Sequence, residues 1–89
     1  AVGHRARSRL VSLVAGPLVT QPDWPDLRAT LIAWSESGFN LVRTAQALHI
    51  HRNTLIYRLE KVERLTGRPW RDHRGSLTLY LACLASQLD

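Results

Sequence analysis

The sequence predicts an all-α fold, a compact bundle of about five helices. Apolar residues recur in steps of three and four along five segments, the spacing that places them on one face of a helix. The alternation typical of half-buried strands is absent, as are internal repeats and low-complexity tracts. With 89 residues, of which 45% are apolar, the chain has material for one small core. We therefore expect a single domain over residues 1–89.

A first helix is expected over residues 5–15. Three apolar residues on one of its faces would point inward: Leu10, Leu13 and Val14. Gly16-Pro17 should end the helix, because proline has no N–H to donate and its ring clashes with the preceding turn.

A second helix is expected from Trp24 onwards, with Asp23 as its N-cap and Pro25 tolerated in its first turn. Ser37-Gly38 should end it. Its apolar stripe, at the spacing of one helix face, consists of Trp24, Leu27, Leu31 and Trp34.

Two further helices, joined by a tight turn, are expected between residues 40 and 66. Asn40 is the N-cap of the first, whose apolar residues are Leu41, Ala45 and Leu48. Residues 49–51 break the pattern, and Ile50 is the expected plug in the turn. The spacing then resumes with Leu55, Leu59 and Val62. Gly67 is the natural C-terminal stop.

Residues 69–72 predict a loop, and a last helix is expected from about Gly75 to Leu88. Four leucines at i, i+4, i+7 and i+11 share one of its faces: Leu77, Leu81, Leu84 and Leu88. Other apolar residues cover its remaining faces, and a helix that is apolar nearly all round is buried or meets a partner. Cys83, in this helix, is expected to be a small core residue.

The stretch over residues 44–59, TAQALHIHRNTLIYRL, carries the strongest functional signal. Two short helices joined by a tight turn are the outline of a helix-turn-helix, which places its second helix in the DNA major groove. The side of that helix opposite its apolar stripe carries polar and charged groups: Asn53, Thr54, Tyr57, Lys61 and Arg64. A groove would meet this polar face.

The same stretch resembles the C-terminal helix-turn-helix domain of the PucR/CdaR-like bacterial transcription regulators. The residues that match the family signature are Thr44-Ala45, Leu48, Ile50, His51-Arg52-Asn53-Thr54-Leu55 and Tyr57-Arg58-Leu59. The likeness extends to Gly16-Pro17-Leu18 and Thr30-Leu31 upstream and to Leu65-Thr66-Gly67 downstream. The turn and second helix are also similar to those of the Fis-type DNA-bending proteins.

The resemblance implies that the chain is the C-terminal output domain of a longer regulator, with a sensory region upstream. Its partner would be double-stranded DNA. Two departures from the family pattern stand out. Ile56 occupies a position that is basic in many relatives, which would change base preference or phosphate contacts. Pro69-Trp70 replaces a more usual aliphatic or acidic pair and is expected to reshape only a loop.

The charge of the chain is unevenly distributed. Its formal net charge is +5, and residues 51–74 hold seven Lys and Arg against three acidic residues. Residues 20–50 instead hold two Arg against three acidic residues. A focused basic region favours a polyanion and predicts binding that falls steeply with salt.

The start of the second motif helix is the end that approaches base edges in a helix-turn-helix. Arg52 has the donors to bind guanine and Asn53 the amide to pair with adenine. The alternatives are that His51 and Thr54 only cap the helix and that Tyr57 packs on a neighbouring helix. The candidates for base contact are His51, Arg52, Asn53, Thr54 and Tyr57.

A second set of residues is expected to contact phosphates: Asn40, Arg43, Thr44, Arg58, Lys61 and Arg64. The first motif helix would offer its N-terminal N–H groups to the DNA backbone. Four of these six residues also have a structural explanation that involves no DNA. Capping alone explains Asn40, a salt bridge explains Arg58, and a solvated helix face explains Lys61 and Arg64.

Other kinds of site lack their motifs. His49, His51, His73 and Cys83 do not have the paired spacing of a zinc site, so no metal and no cofactor are expected. An enzyme is not expected, because there is no G-x-S-x-G, no carboxylate pair with a partner histidine and no phosphate-cradling glycine loop. The single cysteine fits a reducing cytoplasm, and no apolar run is long enough to span a membrane.

Sequence-specific DNA binding is therefore the leading hypothesis. The chain is expected to act as a homodimer or higher homo-oligomer on half-sites about one helical turn apart, because one recognition helix contacts few bases. The apolar terminal helices are the expected dimer surface. The alternatives are a basic helical protein-interaction module and a non-specific architectural nucleic-acid binder.

Overall fold

A computed structural model describes residues 2–88 of the chain, and the predicted all-α class is confirmed. The described residues form five helices and no strand: α1 (Val2–Val19), α2 (Trp24–Glu36), α3 (Leu41–Leu48), α4 (Arg52–Thr66) and α5 (His73–Ser86). The two end positions of the expected domain, residues 1 and 89, lie outside this range.

Helix α1 is longer than predicted and faces the core differently. It continues through Pro17 to Val19, so the expected stop at Gly16-Pro17 is wrong. Pro17 lies in the last turn, where its missing N–H removes one hydrogen bond, and Ala15 and Leu18 fasten that turn to the core because both are fully buried. Leu13, expected to point inward, is 76% exposed.

Helix α2 begins and ends where predicted, but its N-cap differs. The side chain of Asp23 makes no capping hydrogen bond. Its backbone carbonyl accepts the N–H groups of Asp26 and Leu27, and its carboxylate instead accepts two hydrogen bonds from Lys61 on α4. The predicted capping role of the Asp23 side chain is therefore wrong, because a lysine across the bundle engages it.

Helices α3 and α4 confirm the predicted helix-turn-helix. Asn40 caps α3, since its Oδ1 accepts the N–H of Arg43 at 2.9 Å. His49 ends α3 in the left-handed conformation, with φ of 55°. Gly67 ends α4 in the same conformation, with φ of 72°, as its position predicted.

The core consists of two clusters of buried side chains. The first joins α1, α2, α4 and α5, and it comprises Ala15, Leu18, Leu27, Leu31, Val62, Leu79, Ala82 and Cys83. The second supports the helix-turn-helix and comprises Trp34, Ala45, Leu55, Leu59 and Trp70. Burial raises the pKa of the Cys83 thiol to about 12, which agrees with the core role predicted for it.

Trp70 belongs to the second cluster and is only 6% exposed. Residues 69–72 form a loop as predicted, but the expectation that Pro69-Trp70 only reshapes a loop is wrong. The Trp70 ring meets the Trp34 ring edge to face, with centroids 5.6 Å apart. This loop therefore closes the core beneath the helix-turn-helix.

Helix α5 begins and ends two residues earlier than predicted. The Oδ1 atom of Asp72 caps it by accepting the N–H of Arg74. One face, which includes Leu79 and Cys83, is buried in the first cluster. On the opposite side lies the leucine stripe of Leu77, Leu81, Leu84 and, just beyond the helix end, Leu88. Within this stripe Leu77, Leu81 and Leu88 are exposed.

Candidate nucleic-acid interface

The core orients helix α4 so that its polar side faces solvent. Leu55, Leu59 and Val62 are buried and at most 1% exposed, as their spacing predicted. Ile56 is half-buried and packs against the second cluster. The positions that lie opposite this apolar stripe therefore form the outer surface of α4.

All five candidates for base contact are exposed: His51, Arg52, Asn53, Thr54 and Tyr57. The structure thus brings them together at the first two turns of α4 and at the residue before it. Tyr57 is 58% exposed, so packing on a neighbouring helix does not account for its ring. These residues leave both amide and guanidinium donors accessible.

His51 has a structural function in this group. Its Nδ1 accepts the backbone N–H of Asn53 at 3.0 Å and caps α4. A neutral imidazole that accepts through Nδ1 carries its proton on Nε2. His51 therefore caps α4, and its ring still has one donor left for another partner.

The candidates on α3 divide into two exposed residues and one buried residue. Asn40 and Arg43 are exposed at the start of the helix. Thr44 is fully buried, and its hydroxyl donates to the Asn40 carbonyl at 2.6 Å. The Thr44 side chain therefore has no surface to offer a phosphate. Its role is structural, and the predicted phosphate contact of this residue is wrong.

The cationic candidates on α4 also differ from one another. Arg64 is exposed in the last turn. Arg58 Nη1 donates to the Thr30 hydroxyl at 3.3 Å, which ties α4 to α2. Lys61 Nζ lies 3.0 Å from both carboxylate oxygens of Asp23. The hydrogen bond from Lys61 holds the pKa of Asp23 below its usual value, and the nearby charge of Arg58 acts in the same direction.

A cleft of about 590 Å³ opens beside the start of α3 and α4. One wall is formed by Asn40 and Val42 and another by Arg52. The third wall comes from Arg71 and His73, neither of which was among the expected DNA contacts. The signal in the sequence that points to this wall is the spaced basic run of Arg68, Arg71 and Arg74, which directly follows α4.

In residues 2–88 no group of three or more His, Cys, Asp or Glu side chains is arranged to hold a metal ion. None of the helices within this range has the length and apolar character needed to cross a membrane.

Comparison with known proteins identifies one family model, the PucR C-terminal helix-turn-helix domain, which matches residues 27–85. The chain is 45% identical to a carbohydrate diacid regulator of Escherichia coli over 71% of its own length and 16% of that protein. It is 38% identical to a purine catabolism regulatory protein of Bacillus subtilis over 76% of its length and 13% of that protein.

It is also 44% identical to the transcriptional activator PmfR of Paenarthrobacter nicotinovorans, over 73% of its own length and 14% of that protein. The matched part of the chain thus spans 13–16% of the length of these three curated relatives. No solved structure matches the chain.

Proposed function

The chain belongs to the PucR C-terminal helix-turn-helix family, and we propose that it binds double-stranded DNA sequence-specifically, with α4 in the major groove. The observation that carries the proposal is the exposed polar group at the start of α4, held outward by three buried apolar residues. This is the end of a recognition helix that reaches base edges. Relatives named as regulators support this role and no catalytic one.

The proposed base contacts come from the first turns of α4. Arg52 has the planar donors to bind O6 and N7 of guanine, and Asn53 has the amide to bind N6 and N7 of adenine. The Nε2 donor of His51, the Thr54 hydroxyl and Tyr57 complete the set. Because His51 also caps α4, the same side chain fixes the helix end that it helps to present.

The proposed phosphate contacts are Asn40, Arg43 and Arg64, with the first N–H groups of α3 as additional donors. Arg58 and Lys61 each hold a partner inside the protein, so we assign them mainly to fastening α4 to α2 and to the segment before it. Lys61 would have to give up its ion pair with Asp23 before its charge could neutralise a phosphate.

We further propose that two copies bind two half-sites and that they meet through the leucine stripe on α5. Leu77, Leu81 and Leu84 follow the four-three spacing of a coiled-coil seam, and Leu88 continues it. No charged residue lies between them, and Leu81 is 57% exposed. A second copy would remove this apolar surface from water and supply the second recognition helix.

For the whole protein, we propose that the chain is the DNA-binding output domain of a longer cytoplasmic regulator that carries a sensory region upstream. The proposal is supported by the small fraction of each relative that the chain covers. The inducing signal would be sensed by the upstream region of that longer protein.

The experiment that tests the proposed function is selection from a random duplex library, followed by fluorescence-anisotropy titration at two salt concentrations. Enrichment of one sequence, with binding that weakens as salt rises, supports a specific DNA reader. Salt-dependent binding without enrichment favours an architectural binder. If no duplex binds at low salt, the domain is not a DNA reader, and a protein-interaction module replaces this function.

A further inference from the structure

We propose that the cleft between Arg52 and Arg71 is a second contact site for the DNA backbone, beyond the one made by the helix-turn-helix. This inference rests on the proposed function and extends its footprint to the loop after α4 and to the start of α5. The ligand is a phosphodiester of the same duplex. The evidence is the arrangement of donors around the cleft and its continuity with the proposed interface.

Arg71 is held in position by stacking on a buried ring. Its guanidinium carbon lies 4.1 Å from the centroid of Trp70. Trp70 is packed in the second cluster, so it provides a rigid base for this exposed side chain. A guanidinium that stacks through its face keeps its edge N–H groups free to bind a phosphate.

His73 contributes a second positioned donor at the first residue of α5. Its ring stacks on Phe39, with centroids 4.2 Å apart and an interplanar angle of 12°. An imidazole always carries at least one N–H, and such a group donates to phosphate oxygens. The nearby carboxylate of Asp72 caps α5 and lines a different, smaller cleft with Arg68 and Arg74.

The remaining walls connect this cleft to the proposed interface. Asn40 and Val42 line it from the start of α3, and Arg52 lines it from the start of α4. A DNA strand that passes the N-terminus of α3 thus reaches the cleft directly. Charge complementarity is also favourable, because Arg71 lines this space as a cation and a phosphodiester is an anion.

The stacking partners of the aromatic rings in the cleft favour a phosphodiester over a flat aromatic ligand. His73 stacks on Phe39, and Arg71 stacks on Trp70. Trp34 meets the rings of Phe39 and Trp70 edge to face. Because Phe39 and Trp70 each already have a partner stacked on the ring, less aromatic surface is left for a flat ligand, whereas Arg71 and His73 still offer N–H donors.

The test is Arg71→Met, which removes the charge while the long apolar side chain still covers Trp70. Arg9→Met is the matched control, because Arg9 is an exposed arginine on α1, a helix that does not pack on α3. The measurements are the dependence of the binding constant on salt and phosphate-ethylation interference. His73→Ala is a second variant, read by the same interference pattern.

For Arg71→Met we expect the slope of the logarithm of the binding constant against the logarithm of salt to fall by about 0.9. The same variant should lose interference at one or two phosphates that flank the region contacted by α4. Arg9→Met should leave both measurements unchanged.

Unchanged slope and interference in Arg71→Met and His73→Ala would overturn this inference. If Arg52→Ala still relaxed specificity in that case, the proposed function would stand without the additional contact. Failure of the wild-type domain to bind any duplex would overturn the function and the inference together.

Discussion

Lys61 on α4 holds Asp23 in the segment before α2, with Nζ 3.0 Å from both carboxylate oxygens. The pair joins two elements that are 38 residues apart in sequence. It explains why Asp23 does not cap α2 and why Lys61 is only partly available to DNA. The charge of Lys61 thus helps to fix the angle at which α4 is presented.

The first prediction concerns the pH dependence of stability. The pKa of Asp23 is lowered from its ordinary value of 3.8 by the hydrogen bond from Lys61. A lowered carboxyl pKa stabilises the folded state above 3.8, and this stabilisation is lost as pH falls through the folded value. We expect Lys61→Met to lower Tm near neutral pH and to have a smaller effect in strong acid.

Thermal unfolding from about pH 6 to about pH 2.5 measures this difference. Arg64→Met is the matched control, since Arg64 is an exposed cation on the same helix. If the Tm curves of wild type and Lys61→Met stayed parallel over the whole range, the pair would have no role in stability.

The second prediction separates the capping role of Asn40 from its proposed phosphate contact. Asn40→Ala should destabilise the domain by about 1 kcal/mol, because α3 loses its N-cap. Asn40→Asp should keep the cap yet weaken DNA binding, since its negative charge would meet the phosphate backbone. Urea unfolding and anisotropy titration measure the two effects. Equal DNA affinity for wild type and Asn40→Asp would remove Asn40 from the phosphate contacts.

The third prediction concerns the backbone at His49, which has φ of 55° at the end of α3. Glycine occupies this left-handed conformation without the penalty of a Cβ atom. We expect His49→Gly to raise the free energy of unfolding by about 0.5–1 kcal/mol. His49→Ala is the control and should give no gain. A loss of stability in His49→Gly would mean that the His49 side chain itself stabilises the turn.

The fourth prediction tests pairing through α5. Leu81→Glu places a charge in the leucine stripe and should shift the domain from dimer to monomer in sedimentation equilibrium. Leu13→Glu is the control, because Leu13 is an exposed leucine on α1, outside the stripe, and even more accessible than Leu81. A monomeric wild-type domain at high concentration, or an unchanged dimer in Leu81→Glu, would rule out this surface for pairing.

Local signals in the sequence predicted the helix-turn-helix correctly. Asn40 and Gly67 act within one turn of their own helix, and the stripe of Leu55, Leu59 and Val62 follows from helix periodicity. Local signals predicted less well the contacts of a side chain with partners that are distant in the sequence. Lys61, for example, lies on the polar side of α4, and only the fold shows that Asp23 is beside it.

Two predictions were wrong for the same reason, one about Pro17 and one about Trp70. Pro17 predicted a helix stop, but the burial of Ala15 and Leu18 retains the last turn of α1. Trp70 lies in a loop that has no periodicity, so its contact with Trp34 has no local signal. Packing between distant residues decided both cases. The exposure of His51 and Arg52, in contrast, could be predicted, because it follows from their position in the motif.

The affinity of Arg52→Ala for the selected sequence and for random DNA would show whether α4 reads bases. If Arg52 binds a guanine, we expect a loss of about 1–3 kcal/mol on the selected sequence and relaxed preference at one base pair. Random DNA should lose much less. Unchanged affinity for both duplexes would contradict the assignment of α4 as the helix that reads bases.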